Sequence, residues 1–216
     1  MTPLPKHGLY AITDAQLIPT DNFIDTVERA VLGGVNVLQY RDKRNDPAQR
    51  MMQARALRQL CDKYHIPLII NDDISLALQV GADGVHLGKH DPALPRARLL
   101  LGERAIIGVS CYNDLARAQQ AEQQGASYIA LGSFFPSLTK PEAVPASLDL
   151  LTQAKASLHC PIVAIGGITP DNGGELLNHG AHFLAVIHGI FGQNNVTTAA
   201  QRYNRLFHAI ALKETA

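Results

Sequence analysis

PLIINDDISLALQVGADGVHLG, residues 67–88, holds one full repeat of the chain's architecture. An aliphatic run, Pro67 to Asp72, is followed by a stretch of helical character from Ile74. Gly81-Ala82-Asp83 then turns the chain into a second apolar run, Asp83 to Gly88. Neither run alternates polar with apolar residues, which is the pattern of parallel strands covered on both faces. A glycine at 81 stands where a helix ends in the left-handed conformation.

Outward from this segment the unit recurs. Short apolar runs appear at 8–13, 35–41, 67–72, 83–88, 105–111, 128–135, 161–167 and 183–189. Amphipathic stretches such as 23–34 and 48–64 separate them. Strands alternating with helices predict a parallel sheet with right-handed crossovers. The glycine turn echoes at Gly34-Val35-Asn36, Gly125-Ala126-Ser127 and Gly180-Ala181-His182, so it precedes the second, fourth, sixth and eighth runs. Eight strands in quarter units favour a closed (β/α)8 TIM barrel over an open sheet. No linker or low-complexity segment interrupts the chain, so residues 1–216 are expected to form a single TIM-barrel catalytic domain.

Composition narrows the partners. Lysine plus arginine equals aspartate plus glutamate, 19 of each, so the basic excess of a nucleic-acid binder is missing. No apolar run approaches the roughly 20 residues of a membrane span. Met1 to His7 lacks the features of a signal peptide, and Cys61, Cys111 and Cys160 are odd in number and far apart. A cytoplasmic location with reduced thiols is the expectation. Assembly as a homo-oligomer stays open.

The active site of such a barrel lies at the carboxyl ends of its strands. Gln39, Arg41 and Lys43, spaced by two, project to one side, which suits a polar ring beside a multiply charged anion, although a solvated strand end has the same look. Asp72 and Asp91 end neighbouring strands, and two carboxylates with few other protein ligands are the usual grip on Mg2+. Asp73 reads instead as the cap of the following helix. Gly166-Gly167 at the end of the seventh run and His188-Gly189 at the end of the eighth match the phosphate site of these barrels, with a tight turn as the plainer reading. The long segment 133–146 carries Ser137, Thr139 and Lys140 and suggests a lid, or else an insertion without order. His86 and His90 near Asp91 complete no zinc spacing, and Cys111 has no identifiable base.

Taken together, LQYRDK (38–43), INDDISLALQVGADGVHLGKHD (70–91), IGVSCYN (107–113), YIALGSFFPSLTKP (128–141) and PIVAIGGI (161–168) resemble the thiamine phosphate synthase family over roughly residues 8–191. That resemblance implies a transferase joining hydroxymethylpyrimidine diphosphate to thiazole phosphate, with diphosphate released and Mg2+ as cofactor. It implies that Gln39 holds the aminopyrimidine and that Arg41, Lys43, Asn71 and Lys140 hold the diphosphate, with Ser110 at the reacting centre. Asp72 and Asp91 would ligate Mg2+. Ser137, Thr139, the Gly167 backbone and the strand-eight end at His188 and Gly189 would hold the thiazole phosphate. Catalytic work falls to Ser110, Lys140 and Arg41. Three positions depart from the family pattern: Asp73 stands for a common arginine, Ser137 for threonine and His188 for serine. The rival readings are a thiazole tautomerase-like paralogue and a non-enzymatic sensor of a phosphorylated ligand.

Overall fold

The computed structural model describes residues 1–89, 91, 93–136 and 144–214, with side chains through residue 209. In chain order the elements are β1 (Gly8–Ile12), α1 (Phe23–Leu32), β2 (Val35–Tyr40), α2 (Pro47–Tyr64), β3 (Leu68–Asn71), α3 (Ile74–Val80), β4 (Gly84–Leu87) and α4 (Leu94–Leu101). They continue with β5 (Ile106–Tyr112), α5 (Leu115–Gln123), β6 (Tyr128–Gly132), α6 (Leu148–Ser157), β7 (Ile162–Ile165), α7 (Gly173–Asn178), β8 (Phe183–Val186), α8 (His188–Phe191) and α9 (Val196–Glu214). Each strand pairs in parallel with the next, and β8 pairs with β1, so the barrel closes as expected.

Strand parity divides the apolar residues into two cores. Tyr10, Ile12, Val37, Ile69, Ile106, Tyr128, Ala130, Val163, Phe183 and Ala185 fill the barrel. The residues between them in sequence, among them Leu9, Ala11, Leu38, Ile70, Val85, Ile107 and Leu184, pack outward under the helices. Both faces of each strand are therefore buried, which is why the runs do not alternate in polarity. Gly81 ends α3 in the left-handed conformation, at φ +65° and ψ +39°. Asp73 caps the start of that helix, its carboxylate accepting the Leu76 N–H at 2.9 Å, and it also pairs with Arg50. At the opposite rim Asp83 is buried, and its carboxylate accepts the Leu68 N–H at 2.8 Å and an Arg58 N–H at 2.5 Å.

The eighth strand is shorter than the sequence suggested. It ends at Val186, and His188 and Gly189 lie in α8 rather than on the strand. Ile187, at φ −111° and ψ −84°, breaks the extended chain, and its carbonyl accepts the N–H groups of Ile190 and Phe191 at 3.1 and 3.0 Å.

Candidate active site at the carboxyl rim

The ends of β1 and β2 are bound together. Thr13 Oγ1 accepts the Arg41 N–H at 2.9 Å and donates to the Arg41 carbonyl at 3.2 Å. The Arg41 guanidinium lies 3.5 Å from the Asp14 carboxylate. Asp14, Gln16, Arg41, Lys43, Arg44 and His188, with Ala15 and Leu17, line a cavity of about 400 Å³ at the rim. The cations that follow β2 and the α8 histidine thus face one space, although β2 and β8 are not neighbours.

Beside it, Asp72 turns at φ +64°, a left-handed conformation that aspartate tolerates better than most residues. Its N–H donates to the His86 carbonyl at 2.9 Å. Its carboxylate pairs with Lys43 and shares a hydrogen bond with Asp91. Asp91 accepts the Gly88 N–H at 2.5 Å. Burial raises both carboxyls. At Asp72 the hydrogen bonds from Lys43 and Asp91 and the Lys43 charge outweigh it and hold the group below the usual range. Asp91, with the Asp72 carboxylate against it, is held above that range. Two carboxylates this close need a proton or a cation between them. The set fits Mg2+, which takes one or two carboxylates and fills its remaining positions with water and phosphate oxygens.

A third group of residues lies inside the barrel. Gln39 is buried, and its Nε2 donates to the Tyr10 hydroxyl at 2.8 Å. Tyr10 and Tyr128 hydroxyls are 2.6 Å apart. His86 Nδ1 lies 3.0 Å from the Tyr128 hydroxyl, and His86 Nε2 lies 2.8 Å from Ser110 Oγ. Gly108 gives the Tyr128 ring room to cross the barrel, since a Cβ there would lie 1.9 Å from Tyr128 Cζ. Burial pushes both phenols far above their ordinary range, so each keeps its proton. Asn71 ends β3 half-buried at the same level.

On the far side, Gly167 has φ +59°, and a Cβ there would lie 2.3 Å from the Pro136 carbonyl oxygen. Its own carbonyl accepts from Asn172 at 3.1 Å. Gly189 packs against Tyr203, whose hydroxyl donates to the Ile168 carbonyl at 2.9 Å. Ser137, Thr139 and Lys140 lie outside the described residues.

The geometry gathers Gln39, Arg41, Lys43, Asn71, Asp72, Asp91 and Ser110 at one rim. The sequence did not mark Tyr10, Tyr128 or the His86 contact with Ser110. Their signal was strand parity: each tyrosine falls on the interior face, where a polar group needs a partner.

A closed parallel barrel with charged and hydrogen-bonding side chains collected at the carboxyl ends of its strands defines a (β/α)8-barrel enzyme. Residues 9–190 match the family model described as thiamine monophosphate synthase, and the chain belongs to that family. It is 54% identical over 200 residues to the thiamine-phosphate synthase of Saccharophagus degradans, covering 92% of each chain. It is 50% identical to that of Nitrosococcus oceani, covering 93% of this chain and 92% of the relative. Its fold matches the solved thiamine phosphate pyrophosphorylase of Pyrococcus furiosus at TM-score 0.87 and 34% identity, covering 95% and 97% of the two chains.

Proposed function

We propose that this chain, as one catalytic domain over residues 1–216, couples 4-amino-2-methyl-5-(diphosphooxymethyl)pyrimidine to 4-methyl-5-(2-phosphooxyethyl)thiazole, giving thiamine phosphate and diphosphate. The observation that carries the reading is the carboxyl rim: Arg41 and Lys43 line one cavity, Lys43 pairs with Asp72 beside Asp91, and the Gln39 amide lies just below on the barrel interior.

The bond to break joins the pyrimidine methylene to diphosphate. The ring amino group donates electron density that supports a methylene cation, so departure of diphosphate needs charge stabilisation rather than a strong base. Arg41, Lys43, Asn71 and Lys140 take the diphosphate oxygens. Asp14 holds the Arg41 guanidinium towards the cavity. Gln39 holds the aminopyrimidine, and Ser110 stands close to the reacting carbon. Ser137, Thr139 and the backbone at Gly167, His188 and Gly189 hold the thiazole phosphate, which places the thiazole nitrogen for attack. Asp72 and Asp91 would hold Mg2+, which neutralises charge on the leaving diphosphate when bound. Lys43, paired with Asp72, stands between that carboxylate and the rim cavity it lines. These are positioning and electrostatic tasks, and the residue types present suit them.

Turnover decides between this reading and a ligand sensor. Purified protein with both substrates and Mg2+ is expected to form thiamine phosphate and diphosphate in equal amounts. Binding of either compound without product would overturn it.

A further inference from the structure

The polar chain inside the barrel has a direction. Each hydroxyl carries one hydrogen, and a neutral imidazole has one N–H and one acceptor nitrogen. The Gln39 Nε2 hydrogen is given to Tyr10, so the Tyr10 hydrogen turns to Tyr128 at 2.6 Å. The Tyr128 hydrogen then turns to His86 Nδ1 at 3.0 Å. A neutral His86 in this arrangement has its proton on Nε2 and gives it to Ser110 Oγ, 2.8 Å away. What remains is the Gln39 carbonyl oxygen, an acceptor, the second Gln39 N–H, a donor, and the Ser110 hydrogen, a donor. Tyr10 is 1% and Tyr128 0% exposed, so water does not compete along the middle of the chain. Reversal requires the amide, both hydroxyls and the imidazole tautomer to change together, because any single reversal sets two donors or two acceptors face to face.

We propose that Tyr10, Tyr128 and His86 are positioning residues that set Gln39 as acceptor and Ser110 as donor, so that the rim selects a ring bearing an amino group beside a ring nitrogen over its oxo counterpart. The inference rests on the pyrimidine-coupling reading for the identity of the ring. The amino group offers hydrogens to Gln39, and a ring nitrogen offers a lone pair to Ser110. An oxo group offers no hydrogen to the Gln39 carbonyl oxygen, and its neighbouring ring N–H offers no lone pair to the Ser110 hydrogen, so those two groups lose their partners. Sites built to hydrogen-bond one pattern reject the other by large factors.

Two measurements test it. Nitrogen-15 spectra of the wild-type imidazoles, with His86 assigned by comparison with His86→Gln, are expected to show an unprotonated Nδ1 and a protonated Nε2. Protonation at Nδ1 would overturn the proposed direction, and this readout needs no substrate. In steady-state assays, the inhibition constant of the oxo analogue divided by the KM of the amino substrate is expected to be on the order of 10³ or more in wild type. Tyr10→Phe and Tyr128→Phe each keep the ring and are expected to lower that ratio by roughly tenfold or more. A role limited to packing would weaken both ligands equally and leave the ratio unchanged, which would overturn the proposal. Absence of coupling by wild type with Nε2 protonated would count against the function alone.

Discussion

The carboxyl groups of Asp72 and Asp91 share a hydrogen bond at the rim between β3 and β4, with the Lys43 ammonium paired to Asp72. Burial and the neighbouring carboxylate both raise Asp91, so without a metal this pair opposes its own ionisation. Asp91→Asn removes the like charge, and an amide oxygen can still accept the Gly88 N–H. In EDTA at pH 8 the variant is expected to melt no lower than wild type. Saturating Mg2+ is expected to raise the wild-type Tm by roughly 5–10 °C and the variant by less, since a ligand at 100 times its Kd adds about 2.7 kcal/mol. Equal Mg2+ shifts in the two proteins, read by thermal melting, would remove Asp91 from the metal site.

Lys140 is assigned to the diphosphate by its place in the sequence. Lys140→Ala is expected to lower kcat by roughly 10²-fold or more, the scale of losing one preorganised charge donor. Its Tm is expected to match wild type. A matching loss of folding stability would mark the residue as structural.

His188 opens α8 and faces the rim cavity together with Arg41 and Lys43. In the proposed reaction it would add a donor to the thiazole phosphate. His188→Ser is expected to retain kcat and to raise the KM for thiazole phosphate by a factor of a few to about ten, as for one partly wet hydrogen bond. A collapse of kcat at saturating substrates would place the ring in the chemistry. An unchanged KM would remove it from the phosphate.

Stability carries its own pH signature at the other end of the barrel. His182 Nδ1 accepts the Ile162 N–H at 3.1 Å, and the Lys155 ammonium lies 3.3 Å from Nε2. Burial first, then the charges of Lys155 and His7, hold its pKa below the ordinary value of 6.5. Protonation is therefore disfavoured in the folded state. Above pH about 6.5 the ring is neutral in both states and its contribution is complete. As pH falls through 6.5 the unfolded chain takes up the proton first, and stability is lost until the folded ring also titrates. The Tm of His182→Asn, whose side-chain oxygen can still accept the Ile162 N–H, is expected to fall less between pH 7 and pH 5 than that of wild type. Parallel Tm profiles would show that His182 does not contribute.

Much of this was legible in the sequence because the physics is local. A strand buried on both faces must read as a continuous apolar run, and all eight runs became strands of one barrel. The cap at Asp73 and the left-handed Gly81 followed from helix-end chemistry. The period-two spacing of Gln39, Arg41 and Lys43 supposed a longer strand: β2 ends at Tyr40, with Gln39 inside the barrel and Arg41 and Lys43 beyond it on the rim cavity. What was hidden depends on register between distant strands. Tyr10 and Tyr128 are 118 residues apart, and only barrel closure and the space at Gly108 bring their hydroxyls together. The end of β8 was also hidden, because Val186 to Gly189 has the composition of a strand while Ile187 adopts a helix-starting geometry.

The rate of coupling as a function of free Mg2+, measured for wild type and Asp91→Asn with both substrates saturating, tests the central claim most directly. Wild type is expected to be inactive in EDTA, to rise to a plateau with Mg2+, and to release one diphosphate for each thiamine phosphate formed. The variant is expected to need at least about tenfold more Mg2+ and to reach a lower plateau. Full wild-type activity in EDTA, or superimposable Mg2+ curves for the two proteins, would contradict the account.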